Sequence, residues 1–128
     1  MLNIHIRTIP DSAQRYNTVA DYYKEGEREV ISVSEMGDWR HEMLTAIHEL
    51  VELSLCRHRG ITDEAIDAYD LEFNKGRGEG DASEPGDRED APYHKEHAFA
   101  SFIEKELARE LGVEWDSYSR ASDRLNLR

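Results

Sequence analysis

The sequence predicts an α+β domain, a short N-terminal β-hairpin or small sheet packed on three main helices, with an all-α bundle as the alternative. Three observations predict it. Segments 2–9 and 28–34 concentrate Ile and Val and are bounded by Pro10, Gly26 and Gly37, as strands are. Residues 39–59 keep helical periodicity between Asp38, a capping residue, and Gly60, a helix terminator. Two further helical patterns follow, and 128 residues suit one domain, 1–128, and little else.

The elements follow in chain order. Ile4, Ile6 and Ile9 mark the first strand, which Pro10 stops. Asp11 to Lys24 carries Tyr16, Val19, Tyr22 and Tyr23 and is expected to be a helical turn or irregular. Arg28 to Ser34 is the second strand, and Gly37-Asp38 leads into the long helix Trp39–Arg59. Thr62 caps the next helix, with Asp63 and Glu64 in its first turn, and this helix is expected to reach about Phe73. A third helix starts at Pro92 and ends before Gly112. Between these two, residues 74–92 hold four Gly, two Pro and six acids. So little apolar surface predicts a flexible acidic loop, either mobile or a functional lid.

Composition narrows the function. Sixteen Lys and Arg against 28 Asp and Glu give a net charge of −12, a field that repels nucleic-acid phosphates and anionic lipid heads. No stretch approaches the roughly 18 apolar residues of a membrane span, and Met1 to Arg7 lacks the apolar run of a secretory signal. Cys56 is the single cysteine and closes no intramolecular disulfide. The expectation is a soluble, cytoplasmic protein with neither nucleic acid nor membrane as partner. Its substrate, a small molecule or a peptide, and its oligomeric state are not specified by these features.

The long helix carries the chemistry. At about 100° per residue, Ile47, Val51 and Leu55 share a side with Leu44 and form the expected core stripe. Met43, Ala46, Leu50 and Leu53 fall on another side, so the helix is expected to be largely buried. The polar strip holds His41, Glu42, Thr45, His48, Glu49, Glu52 and Cys56, and no Lys occurs from 38 to 59. A solvent-facing strip would mix Lys with Glu, whereas this one holds residue types that coordinate metals or move protons. His48 and Glu52, four apart, can reach one ion. Glu49 is placed to hold a water against it.

Other segments supply partners. Asp70 falls within the apolar face formed by Ile66, Tyr69 and Phe73, where an unpaired charge would be costly. Asp67 lies beside it. His94 and His97 lie three apart at the start of the third helix, whose Ser101, Glu104 and Ala108 continue a small, polar face suited to close helix packing. His97 reads as a ligand, whereas His94, His5 and His58 read as surface or structural residues.

Three resemblances add expectations. His48-Glu49-Leu50-Val51-Glu52 resembles the His-Glu-x-x-His helix of the zincins, with glutamate for the second histidine; the strand Val30–Ser34 stands where zincins have an edge strand. That resemblance implies Zn²⁺ and a water-activating Glu49. Glu49-x-x-Glu52 followed by Glu64-x-x-Asp67 looks like the magnesium signature of the MazG-like nucleoside triphosphate pyrophosphohydrolases, which implies Mg²⁺ or Mn²⁺ on acids. The run Val33 to Arg40, His48 to Glu52, Ala91-Pro92-Tyr93 and His97 to Ala100 resembles a family of uncharacterised phage and prophage proteins. It implies a compact domain acting in the host-cell cytoplasm, and a non-catalytic accessory role through partner binding remains open with it. The expected site is a metal held by His48, Glu52 and His97, with Asp70 as fourth or supporting group and Glu49 as general base.

Overall fold

The computed structural model describes residues 1–126. Its order is β1 (Ile4–Ile9), β2 (Ala20–Glu25), β3 (Arg28–Ser34), α1 (Trp39–Arg59), α2 (Asp63–Lys75), α3 (His94–Glu110) and α4 (Trp115–Asn126). The α+β expectation holds, with two differences. β2 occupies part of the segment expected to be irregular, and α4 is a fourth helix. The sheet order is β1-β3-β2, with β1 parallel and β2 antiparallel to β3. β3 is therefore the central strand, where the zincin comparison expects an edge.

One face of the sheet meets α1. Ala20 and Tyr22 of β2 pair with Val33 and Ile31 of β3, and these four join Ala46, Leu53, Cys56 and Ile66 in the main core. Ser32 and Ser34 alternate with Ile31 and Val33 and so point to the opposite face, where Asp11 and Gln14 meet Ser34. Gln14 donates to the Ser32 carbonyl and to Ser34 Oγ, and Ser34 Oγ donates to Asp11.

α1 has the limits that its caps dictate. Asp38 accepts from the Arg40 amide at 2.9 Å, and Gly60 ends the helix at φ 71°, a left-handed conformation that a side chain disfavours. The expected core stripe is only half-buried at Ile47, Val51 and Leu55, while Thr45, His48, Glu52 and Cys56 of the polar strip are buried. The reason is α3, which packs against that strip through Ala100 and Ala108, both nearly inaccessible. Small side chains let the two backbones approach and enclose polar groups between them. Arg59 pairs with Glu96 at 2.6 Å, tying the end of α1 to α3, and Arg57 bridges Glu29 of β3 and Asp63 of α2. A second core joins Leu44, Ala108 and Tyr118, so α4 packs where α1 and α3 meet. No helix among the described residues is long and apolar enough to cross a membrane.

Candidate metal centre

The α1–α3 contact brings His48, Glu52 and His97 together, each about 5% exposed or less. His48 Nε2 lies 3.1 Å from Glu52 Oε2, His97 Nδ1 lies 3.0 Å from the same oxygen, and the two nitrogens are 3.2 Å apart. Tetrahedral ligands at ordinary Zn–N and Zn–O lengths stand about 3.3 Å apart. The triangle therefore has the size of one face of a zinc coordination sphere. Glu84 offers another oxygen: with one atom each from His48 and His97 it forms a group within 4.8 Å. The set with Glu52 has the shorter edges.

Outer partners fix the tautomers. His48 Nδ1 faces Glu104 Oε1 at 2.8 Å, and His97 Nε2 faces Asp87 Oδ1 at 3.0 Å. An ionised carboxylate only accepts, so each outer nitrogen carries hydrogen; each inner nitrogen likewise faces Glu52 Oε2 with its proton, and offers a lone pair once an ion displaces that proton. Tyr22 donates to Glu52 Oε1 at 3.0 Å and leaves Oε2 to the histidines. With those protons displaced, three acceptors would converge, each held from behind, as around a metal ion.

Charge follows the same geometry. Burial disfavours the charged imidazolium of His97, but its hydrogen bonds to the Asp87 and Glu52 carboxylates outweigh it and push the group up to about 10. Burial likewise opposes charge on His48, and Glu104 and Glu52 raise it well above its ordinary value. Burial alone would raise Glu52, yet the two histidines hold its carboxyl down to about 2. Protons thus bind tightly where a metal would, and an ion must displace them.

The remaining expected residues line the same cavity, of about 80 Å³. Glu49 accepts no hydrogen bond among the described residues; burial and the neighbouring Glu52 push its carboxyl well above the ordinary range. Asp70 is buried, with one oxygen accepting from Tyr93 at 2.5 Å and the other from Tyr16 at 3.1 Å. His94 turns to the Gly86 carbonyl at 2.9 Å, while His5 and His58 are exposed. Glu64 is exposed and Asp67 pairs with Arg15 at 3.4 Å; neither is among the residues lining the cavity.

Sequence reasoning missed Tyr22, Glu84, Asp87 and Tyr118, and placed Glu104 on the right face without a role. Glu104 follows His97 by two helical turns, so it shares that side of α3. Asp87 and Glu84 come from the acidic loop, where one carboxylate resembles another in sequence. Loop geometry selects them. The stretch Pro85–Asp87 forms a single 3₁₀ turn, and Gly86 presses on the His97 ring so closely that a Cβ would stand 2.5 Å from His97 Cγ. Arg77 anchors the preceding turn by donating to the Asp81 and Ser83 carbonyls. No family model, curated protein or solved structure matches this chain.

Proposed function

We propose that this chain holds one divalent metal ion, Zn²⁺, through His48 Nε2, Glu52 Oε2 and His97 Nδ1, and uses it in metal-dependent hydrolysis. The observation that carries the reading is the three-acceptor triangle with edges of 3.0–3.2 Å. Two imidazoles and one carboxylate suit Zn²⁺ better than Mg²⁺, which prefers an all-oxygen shell and dehydrates reluctantly. Three protein ligands leave a position for water, whose acidity a bound zinc ion increases.

Glu49 supplies the base. Its carboxylate lines the cavity beside the triangle, within the same pocket as the ligands, where a general base can take a proton from a bound water. Tyr22, Glu104 and Asp87 hold the ligands, while Glu49 has no hydrogen-bond donor among the described residues. The acidic lining, which includes Glu49, Glu84 and Asp70, disfavours anionic substrates and directs the reading toward neutral or cationic groups.

Metal analysis of the purified chain and two variants tests this. The wild type is expected to retain about one zinc per chain. Glu52→Gln exchanges a ligand carboxylate for an amide and should lose most of it. Glu49→Gln should keep the metal and, with a substrate in hand, lower turnover by about 10²–10⁴-fold. Metal kept in Glu52→Gln and lost in Glu49→Gln would contradict the assignment and move the ligand three residues back along the helix, to Glu49. Absence of metal from the wild type, even after reconstitution, would leave the non-catalytic role.

A further inference from the structure

We infer that Tyr118 is a positioning residue for the metal centre, acting through Glu104 on His48 and so coupling the C-terminal helix to metal affinity; the inference rests on the proposed metal site. The carrying observation is an unbroken relay of short hydrogen bonds that starts on α4 and ends at a ligand. Tyr118 Oη donates to Glu104 Oε2 at 2.5 Å, and Glu104 Oε1 accepts from His48 Nδ1 at 2.8 Å. Thr45 Oγ1 stands 2.7 Å from Tyr118 Oη on its other side.

Proton counting fixes the directions. Tyr118 has one hydroxyl hydrogen, and an ionised Glu104 can only accept it. The Thr45 contact is then donated by Thr45, whose one hydrogen it shares with the His41 carbonyl at 3.1 Å. The relay runs from Thr45 to Tyr118 to Glu104, meets the hydrogen of His48 Nδ1 on the second Glu104 oxygen, and so keeps His48 Nε2 turned toward Glu52 and His97, where its lone pair is available once a metal displaces the proton. Each hydroxyl removes one freedom from the group it holds, and Glu104, held on one oxygen by Tyr118, keeps the other turned to His48. Outer-shell partners of this kind are worth about 10–100-fold in metal affinity.

Packing makes Tyr118 a fixed point. It is 3% exposed, in the core cluster with Leu44 and Ala108. Its ring lies 5.4 Å from that of Trp115 and 5.2 Å from His41. The hydroxyl is therefore placed by apolar contacts that do not depend on the metal. Glu104, on α3, has no Lys or Arg among its hydrogen-bond partners in the described residues, so the tyrosine and the histidine together determine where it points.

A double-mutant cycle on the full chain tests the coupling, with zinc affinity measured by competition against a chromophoric chelator. Tyr118→Phe keeps the ring and removes the hydroxyl. It is expected to weaken zinc about 10–100-fold in the wild-type background and by less than about twofold in Glu104→Gln, where the group it acts through has changed. Thr45→Val, which leaves Tyr118 in place, should move affinity in the same direction by a smaller factor. Unchanged affinity in Tyr118→Phe, or an equal loss in both backgrounds, would overturn the relay while leaving the metal site standing. A wild-type chain that binds no zinc would instead overturn the site itself, and the relay with it.

Discussion

Asp70 shows how a single buried carboxylate reports on the cavity. Burial pushes its carboxyl from an ordinary 3.8 up to about 6, and the Tyr93 and Tyr16 hydroxyls only partly offset that. Folded Asp70 therefore keeps its proton to higher pH than the unfolded chain does. Between about pH 4 and pH 6 the native state binds more protons, so stability falls as pH rises through that window. Two units correspond to on the order of 3 kcal/mol. Asp70→Asn is neutral throughout and should escape the loss: its stability relative to wild type, from urea unfolding of the metal-free protein, should climb by that order between pH 4 and 7 and then level. A difference independent of pH would mean that Asp70 ionises without penalty.

At the scale of elements, helices with caps at both ends were the most legible in the sequence. Asp38 and Gly60 delimit α1, and Thr62 begins α2, because capping satisfies backbone groups that no tertiary contact replaces. β2 was not legible: Tyr22 and Tyr23 alternate faces too briefly to separate a strand from a turn, and its pairing with β3 decides the matter. α4 was missed because its sequence, Trp115 to Asn126, is mostly polar, and its stability comes from docking Tyr118 and Trp115 into the second core. His48 and Glu52 were legible through their spacing, and His97 through its place at a helix start. The acidic loop concealed its role, since polar ties rather than apolar burial seat it.

That loop makes its own prediction. Gly86 occupies a site where a Cβ would meet His97 Cγ at 2.5 Å, Nδ1 at 2.6 Å and Tyr93 Cε2 at 2.9 Å. Neither ring can retreat, because His97 is backed by His48 and Glu52, and Tyr93 is held on Asp70. Gly86→Ala should shift the His97 ring, cost about 1–3 kcal/mol of stability, and weaken zinc binding at least about 10-fold, the scale of a disturbed ligand. Gly78→Ala, whose Cβ meets nothing within 4 Å, is the control expected to change neither. Equal affinities for the two variants would show that the loop does not position His97.

Across the whole molecule, the proposed metal centre is where the separate elements are joined. α1 gives His48 and Glu52, α3 gives His97 and Glu104, β2 gives Tyr22, the acidic loop gives Asp87 and α4 gives Tyr118. A chain with a net charge of −12 also gains from a bound cation, and an ion that binds only the folded state stabilises it by about 2.7 kcal/mol at a hundredfold excess over its Kd. The central claim is the ligand set, which zinc-edge X-ray absorption of the reconstituted protein reads most directly. Two imidazoles and at least one carboxylate predict a shell of nitrogen and oxygen at about 2.0–2.1 Å, imidazole outer-shell scattering from two rings, and no sulfur. A sulfur shell at about 2.3 Å, which would place the ion on Cys56, or oxygen neighbours without imidazole scattering, would contradict it.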